Sequence, residues 1–162
     1  MTTQSLRENL QTVADPMHLQ SSAEEVFGTM LGVRCEMVPC AGSMVAETIT
    51  SVVGFGGILT GACVFRCNEA AALVIAARLT GMSFTELDDT VKDAIGEICN
   101  MLAGAWKGKV PDLSANCGLS IPAVITGSNY NIHVQAPQFR LDQCYRFETT
   151  GFEVTIICDG LQ

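Results

Sequence analysis

The chain has 162 residues, of which 48% are hydrophobic and 16% charged, with a mean hydropathy of +0.31. That is enough apolar material for the core of one domain, and it excludes a disordered chain. Nine Lys and Arg against 17 Asp and Glu leave a net charge of −8 and a pI near 4.6. Such a surface repels phosphate backbones and anionic lipid, which argues against nucleic-acid and membrane partners.

Residues 1–14 read as a frayed start of a single domain spanning 1–162. Asp15-Pro16 is a helix-entry signal, with Asp as cap and Pro in the first turn. It predicts a helix over Pro16 to Leu31 that Gly32 stops. Residues 33–40, 44–53 and 58–66, rich in Val, Ile, Thr and Cys, predict three strands. Asn68 caps a second helix that Gly81 ends; it is apolar nearly all round and should lie on a sheet. Asp88 or Asp89 starts a third helix running to about Gly108, and Pro111 closes the segment. Further strands are predicted over 121–126, 129–136, 143–149 and 152–158. This order implies an α+β fold with helices layered on a largely antiparallel sheet. A faint internal echo sets Glu25-Val-Phe-Gly-Thr-Met-Leu-Gly against Glu97-Ile-Cys-Asn-Met-Leu-Ala-Gly.

The longest apolar run, Ala70 to Ala77, is far shorter than the roughly 20 residues of a membrane span. The polar first 16 residues do not resemble a signal peptide. The eight cysteines have no C-x-x-C and no histidine at ligand spacing, and most sit among apolar neighbours. They read as reduced thiols serving as small buried hydrophobes, which places the chain in the cytoplasm. His18 and His133 show no metal or triad spacing. Glycines 54, 56, 57 and 61 lack a following Gly-Lys-Ser/Thr and suit turns and bulges better than a phosphate loop.

The third helix carries the most information. At about 100° per residue, Val91, Ile95, Ile98, Leu102 and Ala105 share one face. Asp93, Gly96, Glu97, Asn100, Gly104 and Lys107 lie opposite. Burial of the first stripe turns the second outward. A glycine in an exposed helix interior costs about 1 kcal/mol relative to alanine. Two of them around one carboxylate and one amide suggest that another surface approaches the helix backbone closely. The alternatives are a solvated polar face with incidental glycines, or glycines packed under another helix of the same fold. Cys99 falls away from this stripe and has neither a local histidine nor a positive field to activate it.

Asp93-Ala-Ile-Gly-Glu97-Ile-Cys-Asn100-Met-Leu-Ala-Gly104 resembles the D-x-x-x-E-x-x-N-x-x-x-G helix of the CheX/CheC family of CheY-phosphate phosphatases, in its CheX type. Val26 to Val33, Gly57 to Phe65, Asn68 to Gly81, Thr85 to Asp89 and Ser120 to Gly127 are similar to other segments of that family. The resemblance covers about residues 20–158. It implies that Glu97 and Asn100 enter the active site of a phosphorylated, CheY-like response-regulator receiver. Asn100 would place a water in line with the aspartyl phosphate, and Glu97 would pair with the receiver's lysine. Asp93, Gly96, Met101, Gly104 and Lys107 would contact the partner, although Lys107 also suits the helix C-terminus. The receiver would supply Mg²⁺, so the chain needs no metal of its own.

In duplicated members of the family two helices carry the Glu/Asn pair. Here the first helix offers Glu25-Val-Phe-Gly28 without the Asn, which resembles the single-site, homodimeric CheX type. The rival reading is a module of the same fold that binds a receiver without hydrolysing anything. An unrelated α+β enzyme with its site elsewhere finds no nucleophile–base pair in support.

Overall fold

The computed structural model describes residues 10–40, 48–127, 133 and 137–161. Among these residues seven strands form one antiparallel sheet: β1 (Glu36–Val38), β2 (Ile49–Gly57), β3 (Leu59–Cys67), β4 (Cys117–Leu119), β5 (Ala123–Thr126), β6 (Phe139–Phe147) and β7 (Thr150–Leu161). Their order is β1-β6-β7-β3-β2, and the outer edge of β2 is shared by two short strands. β4 pairs with Phe55 to Gly57 and β5 with Ile49 to Val52. The connection between β4 and β5, residues 120–122, thus sits midway along β2, and that break shapes the functional surface described below.

The helices are α1 (Leu10–Val13), α2 (Pro16–Val26), α3 (Glu69–Thr80), α4 (Asp89–Gly108) and α5 (Pro111–Asn116). Asp15, Asn68 and Asp88 each accept a backbone N–H of the first turn, from Met17, Ala71 and Val91 at 2.8–2.9 Å. Gly32 and Gly81 close their helices in the left-handed conformation, as a C-terminal stop requires. The long helices cap and end where the sequence places them. Helix α2, however, opens into a π-helical turn over Phe27–Leu31 instead of staying α-helical to Leu31. Gly28 within this turn lowers the cost of leaving α geometry.

Other boundaries also differ from expectation. Pro111 opens α5 at its first position, where a missing N–H costs nothing, rather than merely closing the segment. The first strand is three residues long, and β4 was not foreseen. Leu10–Val13 form a helical turn with Val13 buried; four residues carry no periodicity that could announce it. The strand expected over 129–136 lies outside the described residues apart from the exposed His133.

Phe152 of β7 centres the core between the sheet and α2. Its ring stacks on Phe27 at 4.3 Å and on Phe65 and Tyr145 at 5.1 Å, centroid to centroid. A second cluster joins Trp106 of α4 to Phe55 at 5.2 Å. β7 lies close enough to β3 at the Thr60–Gly61 bulge that a Cβ on Gly61 would stand 2.1 Å from the Ile157 carbonyl oxygen. That position therefore needs glycine.

The cysteines correct one expectation. Cys40 and Cys144 form a disulfide with a Cα–Cα distance of 5.3 Å. They are 104 residues apart, so neither spacing nor local composition reveals them. They meet because β1 pairs with β6 and sets Val38 opposite Cys144. The other six cysteines form no disulfide and are buried, as small apolar side chains would be. Burial pushes Cys35 up to about 11 and raises Cys117 and Cys158 as well. Thiol titration of the denatured chain should therefore count six before reduction and eight after. Phe152→Ala should cost about 3–5 kcal/mol in urea unfolding.

Candidate functional site

Helix α4 runs over β2 and β3 with α2 and α3 packed beside it. Val91, Ile95, Ile98, Cys99, Leu102, Ala103 and Trp106 are fully buried beneath it. Ala105, placed on the apolar face by the angle count, is half-buried. The opposite stripe faces outward: Asp93 and Glu97 are exposed, while Asn100, Met101 and Gly104 are half-buried. The side chains of Glu97 and Asn100 find no hydrogen-bond or ion-pair partner among the described residues. One carboxylate and one amide, a helical turn apart, thus stand on a rigid ridge with their bonding capacity unused by the described residues.

Gly96 differs from an open glycine. It is buried, and a Cβ there would stand 3.3 Å from both Pro122 Cβ and Val124 Cγ2. The glycine lets the β4–β5 connection lie flush on the helix. Its packing partner belongs to the same chain, which answers the question that the sequence left open at this position. Gly104 is looser, with only Leu119 Cδ1 within reach at 3.9 Å.

The ridge has a cleft on each side. Asp93, Glu97, Ile121, Pro122 and Val124 line a shallow one of about 270 Å³. Beyond Asn100, a more apolar groove of about 430 Å³ is walled by Thr29, Met30, Met101 and Leu119. Ile121 is 90% exposed and Met30 45%. The helix pattern sets Met30 with Val26, Phe27 and Leu31 on an inner side, yet Met30 is exposed, and an isolated Ile in a loop carries no periodic signal. The one hint was Pro122, which cannot donate to a sheet ladder and so marks the break in the edge strand.

Three other residues near the ridge have partners within the chain. Lys107 donates from Nζ to the carbonyl oxygens of Ser114 and Cys117, and so ties the end of α4 to α5 and β4. Glu25, the counterpart of Glu97 in the internal echo, lies beside the Asn100 groove but is ion-paired with Lys109. Cys99 donates to the carbonyl oxygens of Ser51 and Cys63 at 3.5 Å and is fully buried, so it is not a surface nucleophile. Among the described residues no three of His, Cys, Asp and Glu gather as metal ligands. No helix among them is long and apolar enough to cross a membrane.

Residues 49–144 match the family described as chemotaxis phosphatase CheX. The chain belongs to the CheX family. The CheY-P phosphatase CheX of Thermotoga maritima is 29% identical over 89 residues. That match covers 54% of this chain and 57% of the relative, so the chain spans little more than half of the relative's length. The crystal structure of chemotaxis protein CheX from Vibrio vulnificus superposes with a TM-score of 0.75 at 19% identity, covering 90% of this chain and 97% of that one. CheX in the CheX–CheY–BeF3–Mg²⁺ complex from Borrelia burgdorferi gives 0.71 at 19% identity, over 89% and 97%. These structural likenesses are of fold.

The seat on Gly96 is open to test. Gly96→Leu should drive the β4–β5 connection off α4 and lower stability by about 1–3 kcal/mol, the usual cost of overpacking. Thermal unfolding would show it; an unchanged midpoint would mean that the connection yields freely.

Proposed function

We propose that this chain accelerates hydrolysis of the aspartyl phosphate on a CheY-like response-regulator receiver, with Glu97 and Asn100 inserted into the receiver's active site. The observation that carries this reading is the outward Glu97/Asn100 pair, without a polar partner among the described residues, on a helix whose other face is locked in the core. Membership of the CheX family and the names of its relatives support it.

The chemistry suits the two side chains. Hydrolysis forms a bond from a water oxygen to phosphorus and breaks the bond between phosphorus and the aspartyl oxygen, releasing inorganic phosphate and the free carboxylate. Such a step gains mainly from positioning and charge stabilisation. Asn100 accepts a hydrogen bond from the water through Oδ1 and remains uncharged, so it does not repel the phosphoryl oxygens. Its own protonation never changes. Glu97 would be a poor neighbour for a phosphoryl group but is a strong partner for a receiver lysine; it holds α4 in register while Asn100 orients the water. Mg²⁺ on the receiver would supply charge neutralisation. A homodimer belongs to the same reading, and light scattering should then report twice the 17.2 kDa chain mass.

Decay of a phosphorylated receiver tests the proposal. The wild-type chain should speed it. Asn100→Ala should lose about 100-fold in saturated rate while still binding the receiver. Glu97→Ala should weaken both binding and rate. If the wild-type chain binds receivers yet leaves their phosphate lifetime unchanged, the non-catalytic docking module is the correct reading.

A further inference from the structure

We infer that Ile121 is a prebuilt docking anchor, inserted into apolar surface of the phosphorylated receiver beside its active site, and that it sets affinity for the partner. The inference rests on the receiver reading above and adds to it the residue that grips the partner.

A single exposed isoleucine is ordinary on a protein surface. This one differs in how it is held. Its neighbours on both sides are fixed. Ser120 accepts from the Gly54 N–H through Oγ at 2.8 Å, and its own N–H donates to the Gly54 carbonyl at 2.9 Å. Pro122 packs against α4 where Gly96 has no side chain, and Val124 follows it into the same seat. The segment is therefore bound to β2 at one end and to the catalytic helix at the other, with the 90% exposed Ile121 held between them. Order that is already present in the free protein does not have to be created on binding, which favours affinity.

Its position gives the anchor a use. Ile121 lines the same cleft as Asp93 and Glu97. On the far side of Asn100 stand the exposed Met30 and the half-buried Met101 and Leu119. Apolar contacts thus bracket the polar pair. Closing them on a partner would exclude bulk water around Glu97 and Asn100, which strengthens the polar contacts between them. The two carboxylates select a partner face with a cation next to apolar surface. Glu97 already requires such a cation in the proposed mechanism, so the occupant is the receiver's phosphorylation face and not an unrelated partner.

The test uses a CheY-type receiver of the same organism, phosphorylated with acetyl phosphate, with decay followed at rising concentrations of this chain. Ile121→Asp should raise the half-saturating concentration tenfold or more, the order expected when burial of one aliphatic side chain is lost. The effect should fall on that concentration rather than on the saturated rate. Ile121→Val should stay within about twofold. Thermal midpoints of both variants should match the wild type, because the side chain is exposed. If the wild type speeds decay and Ile121→Asp saturates at the same concentration, the anchor is wrong and the phosphatase reading stands. If the wild type does not speed decay, binding to a beryllofluoride-loaded receiver decides. Equal affinity of wild type and Ile121→Asp overturns the anchor, and absence of wild-type binding overturns both proposals.

Discussion

Burial of one stripe of α4 against β2 and β3 is the constraint from which the rest follows. Ile95, Ile98, Leu102 and Trp106 are removed from water completely, and each large side chain buried in this way contributes about 1.5–3 kcal/mol. A helix fixed on one face cannot rotate. The opposite face is then committed to solvent, and Glu97 and Asn100 are held outward by the residues of the buried stripe. Substitutions in the core stripe would therefore turn or loosen the ridge, whereas substitutions of the outward Glu97 and Asn100 side chains would leave the fold intact.

The same helix shows two different uses of glycine. Gly96 is filled by Pro122 and Val124 of the chain itself, which turns a gap in the helix surface into a seat for the β4–β5 connection. Gly104 stays looser beside Leu119 and opens the groove next to Asn100. The two helices of the faint echo also divide. Glu25 is neutralised by Lys109, and Gly28 stands where α4 carries Asn100 in the aligned echo. The first helix retains an acid but neither the amide nor a free charge, which fits a single working ridge per chain.

Much of this was legible in the sequence because it depends on short-range rules. Helix caps at Asp15, Asn68 and Asp88, stops at Gly32 and Gly81, and the two stripes of α4 all follow from local chemistry and a 3.6-residue period. What escaped depends on long-range pairing. The Cys40–Cys144 disulfide, the split of the β2 edge between β4 and β5, and the loop seated on Gly96 each join segments distant in sequence. Lys107 shows the limit within one helix. Its angle placed it on the polar stripe, but a long side chain reaches beyond its own sector, and its ammonium group lies on the carbonyls of Ser114 and Cys117.

The most direct measurement is a crystal structure of this chain bound to a receiver carrying beryllofluoride and Mg²⁺. The account predicts the Asn100 side-chain amide within about 3 Å of a water in line with the beryllium, and the Glu97 carboxylate on a receiver cation. A complex in which the receiver sits on another face, with Glu97 and Asn100 still in solvent, would contradict it.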